Sequence, residues 1–172
     1  MQNIPLSELR RALPRGDAPP PPPLPPWWSA DHPVWALGFR PLYLAAAAWA
    51  ALAVLAWALA FPLGAGGGWH RPALPGALWH AHEMVFGFCA AVIVGFLFTA
   101  GRNWSGQPTP TGRTLQWLVA AWLTARVSVL LPWSGPDVLA ALLFPLGAAW
   151  GLGRALYAAG NRRNYFFVAL LV

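Results

Sequence analysis

Long apolar stretches with few or no charged side chains divide this 172-residue chain, and they decide what it can fold into. Residues 41–63 contain no charge at all. At a rise of about 1.5 Å per residue a helix of that length reaches about 34 Å, enough for a hydrocarbon core of about 30 Å. Further apolar runs at 83–101, 115–131 and 138–153 lie near the short end of the spanning range. A last run, 165–172, reaches only about 12 Å as a helix and cannot span. The pattern predicts an all-α polytopic membrane protein with four transmembrane helices and a truncated fifth. On this reading the chain is the N-terminal portion of a longer protein whose C-terminal transmembrane helices are missing. Pro41 suits the first turn of a helix, where its absent N–H costs nothing, and Arg40 marks the membrane boundary beside it. Pro136 opens the fourth helix, with Ser134 and Asp137 at the spacing of a capping box.

Composition agrees with a lipid solvent. The chain is 58% hydrophobic and 9% charged, against about 25% charged in an ordinary soluble domain. Its eleven basic residues, all arginine, outnumber five acids, for a net charge of +6. In a soluble protein that excess would suggest a nucleic-acid partner, but here the arginines fall between apolar runs and read as topology determinants. Arg10, Arg11, Arg15 and Arg40 precede the first span, Arg102 and Arg113 separate the second from the third, and Arg154, Arg162 and Arg163 follow the fourth. The opposite side holds only Arg71, which predicts a cytoplasmic N-terminus and an outward loop at 64–82. Trp69, Trp79, Trp104 and Trp133 lie near span ends and read as interface anchors. Residues 1–38, with the proline run at 19–26, differ from the rest and predict a cytoplasmic, disordered Pro-rich tail ahead of a helical domain at 39–172. The lone Cys89 excludes an internal disulfide and any metal site built from several cysteines. No phosphate-binding loop, hydrolase elbow or DNA-binding motif is present.

Candidate chemistry gathers at the mouth of the second span. His80 and His82 are candidate metal ligands, because neutral imidazole is a common ligand to transition metals and to haem iron. Their alternative role is that of polar interfacial residues. If the helix already includes them, they stand about 200° apart around its axis and cannot share one ion. His80 then lies with Glu83, Met84, Gly87, Ala91 and Gly95, whereas His82 points with Phe86, Cys89 and Ile93. If the helix begins at Glu83, both histidines can converge from a turn. Glu83 also suits the first turn of a helix through the helix dipole. Gly87, Ala91 and Gly95 recur every four residues, as in faces where helices approach closely, and Gly147 and Gly151 form a similar pair in the fourth span, after Pro145. Arg126 falls within the third span, where an arginine costs on the order of 3 kcal/mol at mid-depth. It either snorkels to the outer interface or pairs with an anionic group, Glu83 being at compatible depth. Cys89 reads as a small packed residue, with a copper ligand as the alternative.

The chain resembles the NnrS family of bacterial polytopic membrane proteins. The matching stretches are Leu37-Gly-Phe-Arg-Pro-Leu-Tyr43, Trp79-His-Ala-His-Glu-Met-Val-Phe-Gly-Phe88, Gly95-Phe-Leu-Phe-Thr-Ala100, Asn103-Trp-Ser-Gly106 and Asn161-Arg-Arg-Asn-Tyr-Phe166, collinear within 34–172. The Trp-His-Ala-His-Glu-Met segment is the most specific. The resemblance implies haem and copper as cofactors, with His80 and His82 as ligands and Glu83, Met84 and Arg126 as their neighbours. It also implies a role in denitrification or in protection against nitric oxide and nitrosative stress, and leaves open redox handling of nitric oxide or its iron adducts with a redox partner. Two alternatives follow from the residues: a metal transporter collecting copper at His70, His80, His82 and Met84, or a cofactor-free structural subunit of the membrane.

Overall fold

A computed structural model describes residues 22–60, 76–130 and 136–172, and among them every regular element is helical. Helix α1 spans Phe39–Ala60, α2 Gly76–Ser105, α3 Gly112–Leu130, α4 Pro136–Ala158, and the short α5 Phe166–Leu170. The first two, at 39–59 and 76–105, are long and apolar enough to cross a membrane.

Each helix follows from its own pattern. In α1, Leu42, Ala46 and Ala53 are buried and Trp49 half-buried, at alternating spacings of four and three, while Leu44, Leu52, Leu55 and Leu59 are exposed. That is one packed stripe on an otherwise lipophilic cylinder. In α3 the buried set is Leu115, Leu118, Val119, Trp122, Ala125, Arg126 and Val129, a continuous face at helical spacing. Helix α4 runs unbroken through Pro145 and buries Phe144, Ala148, Leu152, Ala155 and Leu156. It extends beyond the residues 138–153 expected from hydropathy, and its added last turn buries Ala155 and Leu156.

Helix α2 departs most from expectation. It begins at Gly76 instead of near Glu83, so His80 and His82 lie inside it. Its middle, Glu83–Cys89, winds as a π-helix, where the Ala90 N–H reaches back five residues to the Val85 carbonyl. The α-helical remainder, Ala90–Ser105, ends at Gly106, whose left-handed φ of 65° lets its N–H close on the Arg102 carbonyl at 2.8 Å. The extra length before Glu83 carries the helix out into the segment that sequence assigns to the outer loop.

A main core joins α1 to α4 through Leu42, Ala46, Ala91, Val94, Phe98, Leu115, Trp122, Ala148 and Leu152, and a smaller one holds Ala53, Trp79 and Val129. Trp49 packs against both. The antiparallel order gathers Arg40, Arg102, Arg113, Arg162 and Arg163 at one end. There Asn161 Nδ2 donates to the Trp104 carbonyl at 3.1 Å, and Trp104 stacks on Phe167 at 5.1 Å. Part of the expected disordered tail is structured at this end. Trp35 Nε1 donates to the Trp27 carbonyl at 2.7 Å, Gln116 Nε2 donates to the Trp28 carbonyl at 3.0 Å, and Pro33–Ala36 form a 3₁₀ turn started by His32. Aromatic side chains and satisfied carbonyls hold residues 27–38 against α1 and α3. The proline run through residue 21, His70, Trp69, Arg71, Trp133 and Ser134 lie outside the described residues.

Candidate functional site

Glu83 is the centre of the site and is wholly buried. It opens the π segment of α2, and three other side chains converge on its two oxygens. Trp49 Nε1, half-way along α1, donates to Oε2 at 2.7 Å. Arg126 Nη1, from α3, donates to the same oxygen at 3.1 Å. His82 Nδ1 lies 2.8 Å from Oε1. A carboxylate in an apolar interior is costly unless it is paired and hydrogen-bonded. Here one cation, one indole and one imidazole, drawn from three helices, supply that compensation.

Arg126 is 3% exposed and turned to Glu83, so it does not snorkel. Its Nε is buried with no hydrogen-bond partner among the described residues. Of the two readings of this arginine, the geometry takes the ion pair. The pair stands where α3 meets the π segment, and there Trp122 Nε1 donates to the Gly87 carbonyl at 3.0 Å. Widening the helix to an i→i+5 pattern disturbs the regular ladder, and the indole N–H satisfies a carbonyl within the disturbed turn. Trp122 also meets Trp49 edge-on, with ring centroids 6.3 Å apart.

The two histidines diverge. His80 stacks on Trp57 of α1, with centroids 4.6 Å apart and planes at 22°, and its Nδ1 is buried with no hydrogen-bond partner among the described residues. His82 lies against Phe86 at 4.9 Å, 24% exposed, and shares its outer side with the exposed residues Phe86, Cys89 and Ile93. Both rings are on a helix, so the turn that would bring them to one ion does not form. Among the described residues no three His, Cys, Asp or Glu side chains converge on a common point. Cys89 is exposed and so is not the packed residue that its polarity suggests. Met84 packs against the smaller core of Ala53, Trp79 and Val129, and Trp79 is 5% exposed, a core residue instead of an interface anchor.

Gly87 lets Trp49 approach: a Cβ there would lie 2.9 Å from the indole and 3.2 Å from Glu83 Oε2. Gly95 gives the same room to Tyr43, at 2.9 Å, and Ala91 is wholly buried between them. Gly147 faces Leu118, and Gly151 faces Pro110. The glycines on α2 thus bring α1 close enough for Trp49 to reach Glu83.

Trp49, Trp57 and Trp122 complete the site without having been singled out in the sequence. A signal was present: each lies inside an apolar run instead of at its end, and a buried indole N–H needs an acceptor. Finding that acceptor requires knowing which helices are neighbours.

The His82 pair fits a metal-holding role. A ligating imidazole commonly donates its second ring N–H to a carboxylate, which fixes the ring and presents the other nitrogen. Residues 33–172 match the family model described as NnrS protein. No curated protein and no solved structure matches the chain.

Proposed function

The chain belongs to the NnrS family, and from that premise we propose that it is a bacterial inner-membrane protein that holds haem and copper and protects against nitric oxide. The observation that carries the reading is the carboxylate-backed imidazole: His82 Nδ1 at 2.8 Å from a Glu83 anchored by Arg126 and Trp49. That arrangement is stiff, buried on one side and open on the other, as a ligand position requires.

His82 would hold one metal through Nε2, and His80, held flat by Trp57, would hold the other with a ring nitrogen. Their divergence supports two separate metals over one shared ion. Iron and copper, when bound, supply one-electron chemistry and positions at which nitric oxide coordinates. The protein's own residues keep the rings oriented, keep the Glu83–Arg126 pair out of water and close the inner side with Trp49, Trp57 and Trp122. In this reading α3 and α4 cross the membrane together with α1 and α2, the arginine-rich end faces the cytoplasm, and the histidine end faces outward. The gathering of Arg40, Arg102, Arg113, Arg162 and Arg163 at one end supports that orientation.

The test is the reduced-minus-oxidised optical spectrum and copper content of the protein purified from its native membranes, beside His80→Ala and His82→Ala. Loss of haem in one variant and of copper in the other is the expected result. Unchanged haem and copper in both would overturn the reading.

A further inference from the structure

We propose that Glu83 is a positioning residue that sets the tautomer of His82, holding the ring proton on Nδ1 and leaving Nε2 as the lone-pair donor. The assignment follows from the donors around Glu83. Glu83 Oε2 already receives two, the Trp49 indole N–H and the Arg126 guanidinium. Neither can accept a hydrogen bond, so the carboxyl group stays oriented with Oε1 toward His82. Nδ1 lies 2.8 Å from that oxygen, and because a carboxylate only accepts, the ring nitrogen facing it is the one that carries the proton. With Glu83 wholly buried and Arg126 3% exposed, water does not compete for either group. The imidazole proton is therefore dictated by a network reaching through α1 and α3, not by the solvent at the His82 surface.

Arg126 and Trp49 act through Glu83. They fix which oxygen is free, and Gly87 admits the indole that helps do so. The inference deepens the reading of His82 as a metal ligand and rests on it for its purpose, but the tautomer is a property of the chain alone and is measured without any metal.

The experiment is ¹⁵N magnetic resonance of the histidine-labelled protein in detergent after metal removal, with His82→Ala assigning the signals, beside Glu83→Gln. In the wild type, Nδ1 is expected to carry the proton and Nε2 to carry none. Glutamine has a single oxygen. With Arg126 and Trp49 both claiming it, the amide nitrogen faces His82 and donates to Nδ1, so the proton moves to Nε2. The same Glu83→Gln protein, purified from native membranes, should lose retention of the metal that depends on His82 by on the order of 10- to 100-fold. A wild-type ring protonated on Nε2 would overturn the proposal, whether or not Glu83→Gln folds. So would a Glu83→Gln variant that keeps the wild-type tautomer, whereas one that inverts it and retains both metals in full would support the tautomer assignment and sink the reading of His82 as a metal ligand. A wild type that binds neither haem nor copper yet shows Nδ1–H would instead sink the metal reading and leave the tautomer assignment supported.

Discussion

At the residue scale, the decisive fact is that a buried carboxylate has three partners from three helices, and that removing one partner of a buried pair leaves the other charge without compensation. Glu83→Ala strands Arg126 and is expected to cost about 3–5 kcal/mol, read as a lowered thermal unfolding midpoint in detergent. The double variant Glu83→Leu with Arg126→Met should recover most of that loss, since an apolar pair of similar volume replaces a buried ion pair at little cost. Trp122→Phe keeps most of the ring but abandons the Gly87 carbonyl, and the same measurement should show a loss of about 1–3 kcal/mol. His80, His82, Glu83 and Arg126 were legible as candidates because a polar residue in an apolar run stands out. Their pairing was legible only as one of two options for Arg126. Trp49 and Trp57 were hidden because a tryptophan in a hydrophobic run looks like every other large apolar side chain until its indole acceptor is seen.

At the scale of elements, α2 carries the lesson. Hydropathy places its start near Glu83 because Trp79, His80, His82 and Glu83 lower the local average, yet the helix continues outward to Gly76. A helix is ended by an absence of hydrogen-bonding and packing partners, and here Trp79 supplies packing in the smaller core. The π segment is invisible to a pattern of 3.6 residues per turn. It holds one residue more than an ordinary helix would over the same path, with Val85 on its exposed side. Deleting Val85 should convert Glu83–Cys89 to α-helix and leave the histidine end close to its present phase, because the residue removed is the surplus one. Glu83 should then stay within reach of Arg126, with the helix content seen by circular dichroism retained and the unfolding midpoint little changed, and a large fall in that midpoint would show that the π turn itself is needed for the pairing. Gly95→Leu acts on the same element from the other side: a side chain there meets Tyr43 and the Phe39 backbone, so α1 must move away. The expected outcome is an unfolding midpoint lowered by far more than in Gly106→Asn, at a position whose added Cβ meets open space.

At the scale of the whole molecule, the arginines and the tertiary packing describe the same polarity. If the arginine end is cytoplasmic, a single cysteine placed in residues 64–75 of a Cys89→Ala protein should react with a membrane-impermeant maleimide added on the opposite, non-cytoplasmic side of the membrane. A cysteine at Arg113 or Arg162 should react only after permeabilisation, and the reverse pattern would invert the topology. The sequence by itself determined the helical class, the apolar runs, the family resemblance and the identity of the polar residues that lipid would not tolerate alone. It could do so because the cost of burying charge and backbone is paid locally, residue by residue, whatever the neighbours are. Only the tertiary structure decided that Trp49 and Arg126 meet on one oxygen of Glu83, that His82 takes the other, and that His80 turns away onto Trp57. Apart from the contact of His82 with its sequence neighbour Glu83, they join residues far apart in the chain across three helices. Their distances depend on the extra residue in the π turn and on which helix the small-residue face meets, neither of which a one-dimensional pattern records.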